Sequence, residues 1–208
     1  MNHHIQHPVI DDRMARLRQQ DCTTTHFRQY VQEISQLMVP SVTANLFTLP
    51  TEVQTPLQST TGRKLERSIV LVPILRAGLG MLEGFLKLLT EASVAHIGIA
   101  RNEDTLKPES YYFNAPTNLA NADIIVLDPM LATGGSASSA LTELKKHGAK
   151  HLRLACLVAA PEGLKQLNAK HPDVSVYYPA LDDRLNQNGY ILPGLGDAGD
   201  RIFGTPQT

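Results

Sequence analysis

Asp128 stands at the end of an apolar run, and the residues after it, Pro129-Met130-Leu131-Ala132-Thr133-Gly134-Gly135-Ser136, are mostly small or hydroxylated, with a pair of adjacent glycines. A loop of this kind opening a helix offers unpaired N–H groups, the hydroxyls of Thr133 and Ser136 and the positive end of the helix dipole to one anion. Together these make a monophosphate cradle. A carboxylate at the strand end is then placed to accept hydrogen bonds from ribose hydroxyls. The other reading is a tight strand–helix turn with Ser136 as a capping residue. No lysine follows the glycines, so the triphosphate pattern G-x-x-x-x-G-K-[ST] is not met, and neither is G-x-G-x-x-G.

Two arginines share the strand-end position. Arg76 follows the run Ile69 to Leu75 and precedes Ala77-Gly78-Leu79-Gly80, while Arg101 follows Val94 to Ala100 and opens the polar stretch Asn102-Glu103-Asp104. A guanidinium fork matches the oxygens of a diphosphate, and a polar loop beside it is suited to closing over a charged substrate. A lone arginine in such a place reads as a surface ion pair, whereas two beside a phosphate loop read as substrate ligands. Further on, Gly194, Gly196 and Gly199 surround Asp197 and Asp200 in a segment whose composition alone describes a flexible tail. Tyr190 just before it is either an apolar wall for a ligand or a core residue. His3, His4 and His7 crowd the N-terminus, and imidazole suits Zn, Ni or Cu, but no acidic or Cys ligand completes a set beside them.

These residues need elements to hold them. Ile69-Val70-Leu71-Val72, Val94 to Ala100, Ile124 to Leu127 and Leu152 to Val158 are apolar runs of strand length, and helical segments are predicted at Gly78 to Thr90, Ser136 to His147 and Pro161 to Lys170. Continuous apolar strands alternating with helices imply a parallel sheet covered on both faces. Gly148 sits where a helix C-terminal glycine belongs, and Pro161 where a first-turn proline belongs. Upstream, Phe27, Tyr30, Val31, Ile34, Leu37 and Met38 recur at helical spacing behind Thr24 or Thr25 as N-cap. Residues 50–63 read as a loop or an edge hairpin, and Leu181 to Thr208 as a long functional surface segment without an element of convincing length.

The 208 residues, 42 % hydrophobic and 19 % charged, describe one globular domain rather than a disordered chain. Nineteen basic against twenty acidic residues give a net charge of -1, which argues against a protein that holds nucleic acid by neutralising its phosphates. Cys22 and Cys156 form no C-x-x-C pair and fit a reducing cytoplasm. The longest apolar run, Ile69 to Leu75, contains Pro73 and is far shorter than the ~18 residues of a membrane span, and the chain opens without an apolar signal core. A cytoplasmic location and no membrane partner are expected.

The strand, acid and Thr-Gly-Gly-Ser series resembles the phosphoribosyl diphosphate (PRPP) motif of the phosphoribosyltransferases. The usual second acid is replaced by Pro129, as in the uracil phosphoribosyltransferases, whose version reads Asp-Pro-Met-Leu-Ala-Thr-Gly-Gly-Ser. Val72-Pro73-Ile74-Leu75-Arg76-Ala77-Gly78-Leu79-Gly80-Met81, Arg101-Asn102-Glu103-Asp104-Thr105-Leu106-Lys107-Pro108 and Tyr190-Ile191-Leu192-Pro193-Gly194-Leu195-Gly196-Asp197-Ala198-Gly199-Asp200-Arg201 carry the same resemblance, in the same order. It is dense from residue 66 to 208 and thinner before, from His7-Pro8 through Asp21 and Phe27-Arg28.

The resemblance implies a Rossmann-like α/β fold of type I phosphoribosyltransferases in a single domain. Residues 1–65 would be an N-terminal helical and hairpin addition, 66–180 the parallel-sheet core and 181–208 a hood that receives the base. It implies transfer of phosphoribose from PRPP to N1 of uracil, giving UMP and diphosphate, with magnesium carried by the diphosphate rather than by protein ligands. Arg76, Arg101, the span Asp128, Pro129, Met130, Leu131, Ala132, Thr133, Gly134, Gly135 and Ser136, and Asp197 would contact PRPP. Arg76, Arg101, Asp128 and Asp197 would serve catalysis, and Ile191, Gly196, Asp197 and Ala198 would hold uracil. Asp197 would either polarise the metal-bound diphosphate or assist the base. A homodimer or larger homo-oligomer and, in some members, activation by GTP belong to the same resemblance. The N-terminal third departs from it: the usual Tyr-Glu-Ala-Thr stretch stands here as Ser41-Val42-Thr43, and basic positions near Asp11-Asp12 and Thr25 are absent. The alternatives are a catalytically silent nucleotide-binding paralogue and a pyrimidine-responsive, RNA-binding regulator on the same fold, the latter poorly served by a chain whose only basic cluster is Lys145-Lys146.

Overall fold

The computed structural model describes residues 1–101 and 108–205, with the backbone but not the side chains of Arg101 and Pro108. Strand β1 (Asn2–His4), helices α1 (Pro8–Arg18) and α2 (Thr24–Thr43) and a hairpin of β2 (Thr48–Gln54) and β3 (Ser59–Leu65) come first. Then follow β4 (Ser68–Leu75), α3 (Leu79–Leu86), β5 (Ser93–Val94), β6 (His96–Arg101), β7 (Pro108–Asn114), β8 (Ala122–Leu127), β9 (Met130–Leu131) and α4 (Gly135–Lys146). The chain continues through β10 (His151–Ala155), β11 (Val158–Ala159), α5 (Pro161–Lys170) and β12 (Ser175–Tyr178). Short elements close it: β13 (Ala180–Leu181), β14 (Arg184–Leu185), β15 (Ile191–Leu192) and α6 (Ala198–Phe203).

The main sheet runs in the order β1-β12-β10-β8-β4-β6-β7, with β5 also paired to β4. Its ladders are parallel except β6 with β7. The apolar runs are continuous because both faces are covered. Ile69, Leu71, Ile125 and Leu127 point into a core shared with α1, α2, α3 and α6, whereas Val70, Val72, Ile124 and Val126 point into a core shared with α4 and α5. Each such buried Ile, Leu or Val contributes about 1.5–3 kcal/mol, and the alternation fixes the register of the ladder.

Several elements differ from the sequence expectation. The helix predicted from residue 24 or 25 is capped one residue earlier, by Thr23, whose hydroxyl accepts from the His26 N–H at 3.3 Å, and it runs through Pro40 to Thr43. The run Leu152 to Val158 divides into β10 and β11 because its last residues leave the main sheet for a small one, β13-β11-β9. α3 ends at Leu86, short of Thr90. The antiparallel β7 departs from a wholly parallel sheet. The stretch 50–63 is the β2–β3 hairpin, paired from Thr48 with Leu65 to Gln54 with Ser59.

The N-terminal histidines perform separate tasks. His3 stacks on Tyr177 with ring centroids 4.4 Å apart, and His4 stacks on Tyr178 while its Nε2 lies 2.9 Å from the Pro179 carbonyl. His7 caps α1, its Nδ1 accepting from the Val9 N–H.

Candidate active site

From β4 the chain passes to β6 on one side, and then to β8, β10 and β12 on the other. The main sheet therefore has its topological switch between β4 and β8, where a parallel sheet leaves a crevice beyond the carboxyl ends of its strands. β4 and β8 are paired up to Pro73 opposite Leu127. That register sets Arg76 and Asp128, each just past its strand, on neighbouring ends. The two turns also touch: a Cβ placed on Gly78 would lie 2.4 Å from the Leu127 carbonyl oxygen, so only glycine allows this approach.

Beyond Asp128 the chain adds β9 to the small sheet and then turns at Gly134, whose φ of +79° requires glycine. The underside of this loop rests on α5, where the position of a Gly163 Cβ would be 2.4 Å from the Ala132 oxygen and 2.7 Å from that of Leu131. Gly134 is the N-cap of α4 and makes no side-chain capping bond, and Ser136 lies inside the first turn. The capping-serine reading is therefore wrong for this helix. Thr133 and Ser136 are exposed, and the Thr133 hydroxyl accepts a long bond of 3.4 Å from the Gly135 N–H. A twelve-residue helix thus opens without a side-chain cap at the end of a central strand.

The C-terminal segment reaches both turns. Arg76 Nη2 lies 3.9 Å from Asp200 Oδ1 on α6, and a Gly80 Cβ would lie 2.7 Å from Ile202 Cδ1. On the other side, a Gly189 Cβ would lie 3.8 Å from Thr133 Cγ2. Arg76 remains 62 % exposed, which leaves its fork available to a ligand. Asp197 has a structural task that the sequence did not reveal: it is the N-cap of α6, its Oδ1 accepting from the Asp200 N–H at 2.8 Å. Ile191 and Ala198 are buried and Gly196 is exposed with φ +78°. Tyr190, at 44 % exposure, is not a core residue. The side chain of Arg101 and residues 102–107 lie outside the described residues.

Burial pushes the Asp128 carboxyl up to about 7 against the opposing bond from the Met130 N–H, which is 3.4 Å from Oδ1. The folded chain thus holds this proton more tightly than the unfolded one, where the group titrates near 3.8. Its contribution to stability is most favourable below 3.8, falls as pH rises to about 7 and is flat above that. Asp128→Asn is expected to melt at a higher temperature than the natural chain at pH 8, with the gap closing by pH 4, while losing activity. Thermal melts across that pH range check it.

Two nucleophile arrangements are excluded by their hydrogen bonds. His171 Nε2 lies 3.1 Å from both the hydroxyl and the carbonyl of Ser138, and Nδ1 lies 3.2 Å from Lys145 Nζ. A carbonyl only accepts and an ammonium only donates, so Nε2 carries the hydrogen and cannot take the Ser138 proton. Burial, then Lys145, holds His171 below its ordinary pKa. Cys156 is buried, and burial beside Asp128 pushes its thiol well up, away from the thiolate. A cavity of about 860 Å³ opens between β7 and α4, near Tyr112, Thr142 and His171, and none of the candidate residues lines it.

A family model described as uracil phosphoribosyltransferase matches residues 4–205. A protein of that name from an Exiguobacterium species is 50 % identical over 204 residues, which cover 98 % of each chain. The chain belongs to the uracil phosphoribosyltransferase family. The solved AQ2163 protein from Aquifex aeolicus is 37 % identical and superposes with a TM-score of 0.93 over 100 % of both chains. A hypoxanthine phosphoribosyltransferase from Staphylococcus aureus shares the fold alone, at 14 % identity and TM-score 0.52 over 76 % of each chain. For a member of this family, the residues that sequence reasoning missed are those holding the C-terminal segment: Arg18, Asp182, Asp200 and Arg201. Asp200 and Arg201 stood inside a recognised motif, whereas no local signal marks Arg18 and Asp182.

Proposed function

We propose that the chain transfers the phosphoribosyl group of PRPP to N1 of uracil, releasing diphosphate and forming UMP. The observation that carries this is the juxtaposition of Arg76 with the uncapped loop from Asp128 to Ser136 at the β4–β8 switch, in a member of this family. In this reading the α4 N–H groups and the hydroxyls of Thr133 and Ser136 bind the 5-phosphate, and Asp128 accepts from the ribose hydroxyls. Arg76, together with Arg101, faces the diphosphate, where negative charge accumulates as the anomeric C–O bond breaks. Backbone groups around Ile191 and Gly196 to Ala198 hold the base, and Asp197 keeps that loop in shape through its cap.

Magnesium takes oxygen ligands and retains several waters, so it fits a place on the diphosphate itself. Among the described residues no group of three His, Cys, Asp or Glu side chains is arranged to hold a metal, and the arginine and N–H donors at the site suit phosphate oxygens instead. When bound, magnesium supplies charge neutralisation to the departing diphosphate. We further read residues 1–65, 66–180 and 181–208 as addition, core and hood of one domain. The two free cysteines fit work in a reducing cytoplasm. No helix of the described residues is long and apolar enough to cross a membrane.

The test is conversion of labelled uracil to UMP with PRPP and magnesium. Steady turnover is expected. PRPP binding without any UMP would identify a silent paralogue.

A further inference from the structure

The loop assigned to the base is held from behind by residues outside it. Arg18, the last residue of α1, forms a bidentate pair with Asp182: Nη1 to Oδ2 is 2.8 Å and Nη2 to Oδ1 is 2.7 Å. Asp182 is 7 % exposed, and its Oδ2 also accepts from the Gly194 N–H at 2.8 Å. Arg18 Nη1 donates in turn to the Gly194 carbonyl at 2.7 Å. The pair therefore holds both polar backbone groups of one residue. Gly194 has φ +66°, and a Cβ there would lie 2.2 Å from the Ile191 oxygen, so the chain doubles back tightly at this point.

The next carbonyl is held as well. Arg201 donates from Nη1 to the Leu195 oxygen at 2.7 Å and from Nη2 to the Gln19 oxygen at 2.6 Å, with its guanidinium 4.4 Å from the centre of the buried Phe27 ring. Two consecutive carbonyls, Gly194 and Leu195, are thus tied to the end of α1 by two guanidinium groups. Ile191 lies on one side of this stretch and Gly196 to Ala198 on the other.

We propose that Arg18, Asp182 and Arg201 are positioning residues for base recognition, fixing the backbone of residues 191–198 so that its donors and acceptors match uracil. This rests on the reading that those residues form the base site. Main-chain recognition leaves no side chain able to correct a misplaced group, so selectivity depends on how firmly the loop is anchored. The anchors lie on α1 and at the start of the C-terminal segment, on the opposite side of the loop from the phosphate cradle. Loss of an anchor then affects uracil and spares PRPP.

The experiment compares Arg18→Met, Arg18→Lys and Asp182→Asn with the natural chain, measuring uracil KM, kcat, PRPP affinity by calorimetry and melting temperature. For Arg18→Met and Asp182→Asn, the expected result is a uracil KM raised about tenfold or more, with PRPP affinity within about twofold of the natural value. Arg18→Lys, which keeps the charge and one donor but not the fork, is expected to recover part of the loss. Asp182→Asn keeps the shape and one acceptor should Arg18→Met fail to fold. Unchanged uracil KM in folded variants, or uracil KM and PRPP affinity weakening in parallel with the melting temperature, would overturn the proposal by reducing the pair to a structural tie. Ala198→Pro, measured alongside, separates the two readings. If it abolishes uracil use while the anchor variants do not alter KM, the positioning role alone fails. If it leaves uracil use intact, the base site lies elsewhere and both fall.

Discussion

Gly135→Val is expected to lower PRPP affinity by about 10²-fold while shifting the melting temperature by only a few degrees. Gly135 is the first residue of α4, immediately after the left-handed Gly134, and its own φ is not positive, so a β-branched residue can adopt its conformation. A valine there costs under about 1 kcal/mol in helix propensity at a position with no intrahelical donor to lose. What it does lose is approach: the isopropyl group stands over the first-turn N–H groups that, with no capping side chain, await a phosphate. Gly134 would be a poorer choice for the test. With φ +79°, and with the Gly163 oxygen 3.0 Å from where its Cβ would sit, any substitution there damages fold and binding together. Calorimetric titration with PRPP and a thermal melt on the same Gly135→Val preparation decide the matter. Undiminished affinity would remove the 5-phosphate from this loop.

The parts of this architecture that the sequence disclosed are those written locally. β4 and β8 announced themselves because burial on both faces demands an unbroken apolar run, and the cradle because adjacent glycines after an acid have few other uses. α1 also carried a stripe, Ile10, Met14 and Leu17, all buried, but it is narrow and lies within a polar, histidine-rich opening that drew a metal-binding reading. β1 has no apolar pattern at all. It is a strand because its backbone pairs with β12 and its imidazoles stack on Tyr177 and Tyr178, neither of which is readable from residues 2–4. The anchors of the base loop were invisible for a related reason: Arg18 and Asp182 meet only after α1 packs beside the C-terminal segment, and nothing in either neighbourhood requires the other. Asp197 shows the converse limit. Its motif pointed to substrate, while its local spacing to Asp200, an N-cap followed by a first-turn acid, also encoded a helix start.

Ala198→Pro is expected to abolish UMP formation in a chain that still folds and still binds PRPP. The structure makes this substitution unusually clean. Ala198 is the first residue of α6, a position where the N–H has no intrahelical partner and where the fixed φ of proline suits the helix. The residue before it, Asp197, already has φ -79° and ψ 113°, within the extended region that proline imposes on its predecessor. Little changes, then, except that one N–H is removed. Uracil presents a donor at N3 and acceptors at O2 and O4, whereas cytosine presents an acceptor at N3 and an amine at C4. A main-chain N–H cannot become a carbonyl by rotation, so a pocket built from residues 191 and 196–198 rejects cytosine by leaving like groups facing each other. Sites of that kind reach discrimination of roughly 10⁴ or more. Ala198→Ser keeps the backbone and should retain both activity and the preference for uracil. Rates of UMP and CMP formation measured for the natural chain, Ala198→Ser and Ala198→Pro test the argument directly. An Ala198→Pro chain that still makes UMP with undiminished preference would show that side chains, not this backbone, read the base.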